Sequence, residues 1–235
     1  MSEAQVLTST LEELMELGLY TGMGDIYIAP ILKEETADAP PEFGTPVIAA
    51  EGTQFGITPN YAEGKQSASD RTIREVRIPT SYLIRMGYPR MLANVRSYVL
   101  GHTRDAKGGE VLGDQIPPYV AVGYAAHRDD GTAHMRWLYK VRFTERTVED
   151  KTAEDGAISY GIPVLEGTAV RLNCQVKPAG GKPFRPLRYD ADTADETVAW
   201  TEKDFFAAVP WYTAEADAAA ASEDPAQQDT GNTAE

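Results

Sequence analysis

The residues of this chain that could do chemistry are few and scattered. His127 and His134 flank an Asp-Gly turn at a spacing that sets them opposite each other on a hairpin, half of a zinc site. A structural zinc takes four ligands, and the lone Cys174 and scattered His102 do not complete the set. A surface histidine pair is the simpler reading, and no metal is expected. Glu145, Glu149, Asp150, Glu154 and Asp155 crowd one stretch, but their spacing departs from the calcium-loop pattern. They read as a solvated acidic loop. No Gly-x-Ser-x-Gly elbow, phosphate loop or dinucleotide fingerprint occurs, and Gly22-Met23-Gly24 precedes a strand instead of following one. Cys174 falls in the apolar alternation Val170, Leu172, Cys174, Val176, which makes it a small core residue and not a nucleophile. The expectation is a protein that is not an enzyme, with no catalytic residue and no cofactor.

Charge narrows the partners. The formal net charge is −14 over 235 residues. Residues 213–235 carry Glu215, Asp217, Glu223, Asp224, Asp229 and Glu235 and no base, so −14 less −6 leaves −8 for residues 1–212. Grip on a phosphate backbone needs a basic patch, and an acidic body argues against it. One cysteine closes no intrachain disulfide, and Met1-Ser2-Glu3-Ala4-Gln5 lacks the basic start and apolar run of a secretory signal. No apolar run reaches membrane-spanning length. These features predict a soluble intracellular protein with no membrane partner. A hydrophobic fraction of 42% supports a real core, enough for one domain with appendages.

The elements that would position any site are mostly strands. An N-terminal arm, residues 1–22, holds a short amphipathic helix over 9–18, with Ser9 and Glu12 at capping-box spacing and Gly18 as its stop. Asp25–Leu32 is a strand, Lys33–Gly44 a loop, and Pro46–Ile57 a strand interrupted by Gly52 and Gly56. Pro59–Asp70 has little to bury and reads as a long flexible loop. Arg71–Ile78 alternates as a strand, with Ile73, Val76 and Ile78 apolar. Tyr88-Pro89 opens a helix through Leu100, with Leu92, Val95 and Val99 as its stripe and Gly101 as its end. Asp105–Gly113 is a Gly-rich turn.

Tyr119–Phe143 reads as a hairpin turning on Asp130-Gly131. Centred there, Val120 faces Val141, Val122 faces Tyr139, Tyr124 faces Trp137 and Ala126 faces Met135, all on one core face. The other face then presents Arg136, Lys140 and Arg142 as an exposed basic surface, with His127 opposite His134. Thr144–Gly156 is a long acidic loop. Ile158–Val164 and Thr168–Val176 are strands, joined by a bulge or one bent strand, since a tight turn on Glu166-Gly167 would set Ile162 against Arg171. Thr197–Val209 carries Trp200, Phe205 and Phe206, with Thr201 capping a final short helix. Residues 213–235 have the composition of a disordered tail.

This order of elements resembles the major tail tube proteins of long-tailed bacteriophages. The residues that carry the resemblance are Gly24-Asp25-Ile26-Tyr27-Ile28-Ala29-Pro30, Phe43-Gly44-Thr45-Pro46-Val47 and Ser67-Ala68-Ser69-Asp70. To these are added the helix ending Val99-Leu100-Gly101, the 119–143 hairpin and the aromatic end at Trp200, Phe205 and Phe206. The arm before Gly18 and the tail after Tyr212 fall outside it. The resemblance implies a mainly β fold over 23–212, a β-sandwich with one or two flanking helices. It implies hexameric rings stacked into a tube that conducts DNA through the host envelope at infection. It implies partners as well: copies of the chain itself, tape measure, tail terminator and baseplate or tip proteins, and DNA in passage without specific binding. The place would be the virion tail, after assembly in the host cytoplasm.

In that frame Asn60, Tyr61, Glu63, Lys65 and Asp70 are candidate inter-ring contacts, because their loop must take its order from outside. Arg136, Lys140 and Arg142 are candidate contacts to acidic groups of an adjoining subunit. The acidic body suits a conduit that phosphates must not stick to. A tail terminator or connector ring, or a monomeric β-sandwich binding module of the adhesin kind, would instead give discrete particles.

Overall fold

The hairpin is the centre of the molecule. The computed structural model describes residues 17–37, 39–68, 71–144, 162–178 and 181–212. Among them the strands are β1 (Tyr20–Lys33), β2 (Glu42–Phe43), β3 (Val47–Glu51), β4 (Gln54–Ala68), β5 (Arg71–Gly87), β6 (Thr103–Arg104), β7 (Glu110–Val111), β8 (Val120–Arg128), β9 (Ala133–Thr144), β10 (Val164–Val170) and β11 (Arg188–Asp192). The helices are α1 (Ala93–Leu100) and α2 (Glu202–Ala207). The expected mainly β composition with two helices is what the described residues show.

One antiparallel sheet runs β2-β1-β8-β9-β10-β5-β4, with β3 on the free side of β1 and β11 on β9. The expected two-sheet sandwich is instead this single hydrogen-bonded sheet folded over on itself. Ile26 and Ile28 of β1 share one core with Ile84 and Met86 of β5, and Phe55 of β4 stacks on Tyr124 of β8 at 4.1 Å between ring centroids. The two ends of the sheet therefore face each other across Val122, Leu138, Val141 and Phe143, all fully buried. Pro46–Ile57 is not one strand: it breaks at Gly52, where a Cβ would lie 2.0 Å from the Met23 Cε and 2.8 Å from the Gly24 carbonyl. The chain thus passes from β3 to β4, from one flank of the fold to the other, at a point of close backbone approach.

The predicted register of the hairpin needs correction. Val120 does face Val141, but from Val122 onward the partners shift: Val122 faces Leu138, Tyr124 faces Arg136, Ala126 faces His134 and His127 faces Ala133. The turn is the cause. Arg128 donates to the Thr132 carbonyl at 2.9 Å, and Gly131 takes φ 85°, which makes a three-residue loop with glycine in the left-handed position. A two-residue turn on Asp130-Gly131 would pair residues one position further along β9, so every pair near the turn is displaced by one. A bulge between Val120 and Val122 absorbs the extra residue. The displacement costs nothing because both faces of this hairpin are covered. Behind it, Trp137, Met135 and Ala125 pack under Phe205 and Phe206. The Trp137 Nε1–H donates to the Phe205 carbonyl and the Tyr139 hydroxyl to the Pro210 carbonyl, each at 3.0 Å.

Local expectations at helix ends fared better. Thr201 caps α2, its hydroxyl accepting from the Asp204 N–H at 3.2 Å. Gly101 ends α1 at φ 72°, although the helix begins at Ala93 and not at Tyr88, and Leu92 is exposed. Cys174 is buried beside Tyr139 and Leu172. The Gly-rich segment after Arg104 turns β6 into β7. β10 runs unbroken through Glu166-Gly167, as a continuous strand, but ends at Val170 before the expected limit at Val176. Nearly all of the helix predicted over 9–18, all but one end of the acidic loop 144–156, and the tail 213–235 lie outside the described residues.

Candidate assembly interface

Pro59–Asp70 is not a flexible loop. Its described residues continue β4, which pairs with β5 as far as Ala68 and Arg71. What sets this stretch apart is its neighbours. β10 pairs with β5 from Gly87 only to Ser81, opposite Val170. Past that point the β4–β5 hairpin has no third strand among the described residues, and it extends from the described sheet as a two-stranded arm.

A bulge marks the base of the arm. Asn60 faces Ser81 while Tyr61 faces Pro79, so Thr80 is the extra residue. The Thr80 hydroxyl donates to the Asn60 carbonyl, and the Asn60 side-chain amide donates to the Ser81 hydroxyl, each at 3.1 Å. Pro79 has no N–H to give a ladder, and a bulge on an edge is where a strand tolerates it.

Beyond the bulge, period-2 alternation divides the arm into two faces. Glu63 faces Arg77, and Lys65 faces Glu75. The Arg77 Nε lies 3.1 Å from both the Glu63 and the Glu75 carboxylates. Tyr61 belongs to this charged face. On the other face Ala62 lies opposite Ile78 and Gly64 opposite Val76. Two small residues on one strand thus leave the two large ones of its partner uncovered, Val76 at 37% and Ile78 at 46% exposure. Of the predicted contact residues, Asn60, Tyr61, Glu63 and Lys65 are all on the arm, and Asp70 lies outside the described residues. The sequence shows Val76 and Ile78 as the apolar positions of an alternating strand, without showing that they stay uncovered. The missed signal is the polar, glycine-containing partner strand, which offers nothing to bury against.

The three bases of the hairpin do not form an exposed face. Lys140 is 5% exposed. Its ammonium donates to both oxygens of Glu35, at 2.8 and 3.0 Å, and lies 4.7 Å from the centroid of the Tyr119 ring. Burial pushes the Glu35 carboxyl up, but the Lys140 bond and the Asn173 N–H outweigh it and hold the carboxyl below the usual carboxylate range. Arg136 is half-buried, donating to the Tyr124 hydroxyl at 2.8 Å, with its Nε 3.7 Å from Asp190. Arg142 lies 3.8 Å over the Tyr119 ring. Lys140 and Arg136 meet acids of the same chain instead: Lys140, beside the bulge in β9, pairs with Glu35, and Arg136 lies by Asp190, its partner on β11. The predicted histidine pair fails because the three-residue turn shifts the register, so that His127 faces Ala133 and His134 faces Ala126. His127 meets Glu202 at 3.0 Å, and His134 meets the Tyr20 hydroxyl at 3.2 Å. Among the described residues no three His, Cys, Asp or Glu side chains group as metal ligands.

A second polar feature anchors the start of the fold. Asp129 and Asp130, at the hairpin turn, accept from the Leu19 and Gly18 N–H groups, each at 2.8 Å. Arg128 donates to both Asp192 oxygens at 2.7 Å and to the Tyr20 hydroxyl at 3.0 Å. The turn thus grips the point where the N-terminal arm enters β1.

Compared with known proteins, the chain matches no protein-family model and no curated protein sequence. No helix among the described residues is long and apolar enough to cross a membrane.

Proposed function

We propose that this chain is the structural subunit of a phage-type tail tube, forming hexameric rings that stack into a conduit for DNA. The observation that carries the proposal is the two-stranded arm with an uncovered apolar face. An isolated two-stranded hairpin is marginal in water, and a monomer gains nothing from holding Val76 and Ile78 away from its core. Covering the part of each side chain that is still exposed would contribute roughly 0.5–1.5 kcal/mol per residue. Among the described residues no further strand pairs with β4 or with the outer side of β2 and β3, and such edges are suited to joining copies. The resemblance in element order chooses the tube among the assemblies such features would serve. The net charge of −8 on residues 1–212 fits a lumen that does not retain phosphates.

Negative-stain microscopy of the purified protein at high concentration, alone and with other tail components, tests this. Rings and tubes are expected. Discrete particles of one ring would favour a terminator or connector, and monomer under every condition would overturn the assembly reading. Replacing residues 61–80 by an Asn-Gly turn between the facing Asn60 and Ser81 should leave a folded monomer that forms no tubes. Normal tubes from that variant would remove the arm from the contact.

A further inference from the structure

At the base of the arm lies a groove of about 700 Å³ with an unusual lining for so acidic a protein. Arg171, Arg185 and Arg188 stand in it with Tyr82, Phe184 and Ile78. Arg188 is committed in part, to Asp190 at 2.9 Å and to the Tyr82 ring at 5.5 Å. Arg171 donates to the Pro79 carbonyl. Neither Arg171 nor Arg185 has a carboxylate partner among the described residues, and Arg185 is exposed. Phe184 is 46% exposed beside them. Unpaired guanidinium groups next to an open aromatic ring are a receptor for carboxylates on an otherwise apolar or small-residue chain.

Such a chain begins at the groove. The last described residue, Tyr212, sets its ring edge-on to Phe184 at 6.4 Å between centroids. Immediately after it come Glu215 and Asp217, then Glu223 and Asp224, separated by alanines and with no base up to residue 235. We propose that residues 213–224 dock in cis on the Arg171, Arg185 and Arg188 groove. Carboxylates then answer the unpaired guanidinium groups, with alanines against Phe184. The tether matters as much as the charge. With only two residues between Tyr212 and Glu215, the effective concentration of the acids is of millimolar order, so pairs that are weak and salt-screened as separate molecules become populated. Because Ile78 and Pro79 also line the groove, docking there braces the root of the arm. The inference rests on groove and segment alone and does not need the tube reading.

The test uses the full chain, kept monomeric by dilution. Ala218→Cys is spin-labelled; Cys174, at 3% exposure, is out of reach of the label. Paramagnetic loss of the Phe184, Arg185 and Arg188 amide signals is expected at low salt and should vanish in 0.5 M sodium chloride. Arg185→Glu should abolish the loss without changing the melting temperature, and adding Glu215→Lys with Asp217→Lys should restore it. Groove signals unaffected by the label at low salt would overturn the proposal. So would loss seen only when labelled chain is mixed with a separate isotope-labelled one, which would make the contact intermolecular.

Discussion

At the residue scale the molecule is decided by a few buried charges. Lys140 and Glu35 are joined at 2.8 Å with side chains 7% and 1% exposed. Removing one partner of such a pair leaves the other charge unanswered, at a cost of about 3–5 kcal/mol. Lys140→Met should therefore destabilise strongly, Glu35→Gln by a similar margin, and the double variant by much less than their sum. Urea unfolding of all four proteins measures the cycle, and additive losses would deny the pair any coupling. Asp192 gives a pH test with a definite sign. The bidentate bond from Arg128 draws its carboxyl down to about 2. A group depressed by folding contributes stability that is complete above its unfolded value near 4 and is lost as pH falls through about 2. Stability followed from pH 5 to pH 2 should fall less steeply in Asp192→Asn than in the parent. Equal slopes would show that the Arg128 contact does not hold this carboxylate.

At the element scale the β8–β9 hairpin works because it is packed on both sides. A Cβ at Gly123 would stand 2.7 Å from the Trp137 indole. That ring is fully buried and anchored to the Phe205 carbonyl, so it has no free rotamer to retreat to. Gly123→Ala is expected to cost about 1–3 kcal/mol and to loosen α2 from the sheet. Denaturation midpoints together with near-ultraviolet dichroism of the tryptophans report both. Unchanged values would mean that β8 can move away from Trp137. Gly64 is the contrast: a Cβ there meets nothing within 4 Å, and Gly64→Ala should leave monomer stability within about 0.5 kcal/mol.

At the scale of the whole molecule, order is unevenly distributed. The core strands β1, β8 and β9 have neighbours on both edges and cover on both faces, whereas among the described residues the arm past the Thr80 bulge has one partner strand and leaves Val76 and Ile78 partly exposed. Hydrogen exchange of the unassembled chain should show amides of 61–68 and 71–78 opening far below the global unfolding free energy, and those of β8 and β9 opening only with it. On assembly the arm amides should become protected. If they are protected already in the monomer, the arm is held within the chain and is not waiting for a neighbour.

What the sequence determined by itself is local. Thr201 as a cap, Gly101 as a helix stop and the turn containing Gly131 were all legible. Each depends on residues within a few positions, where backbone sterics and short hydrogen bonds decide the outcome. The apolar alternation of Val170, Leu172 and Cys174 also identified a buried residue correctly. Tertiary structure decided what alternation cannot express. Val76 and Ile84 sit on one strand with similar side chains, yet one is exposed and the other fully buried. Ile84 packs into the core with Ile26, Ile28 and Phe143, whereas Val76 lies on the stretch of β5 beyond Ser81, where β10 no longer pairs. The hairpin register turned on one more loop residue, a change that local propensity barely weighs and that two-sided burial renders harmless. Lys140 found Glu35 across 105 residues of chain. A charge that reads as surface in the sequence becomes interior once the fold brings a distant carboxylate to it.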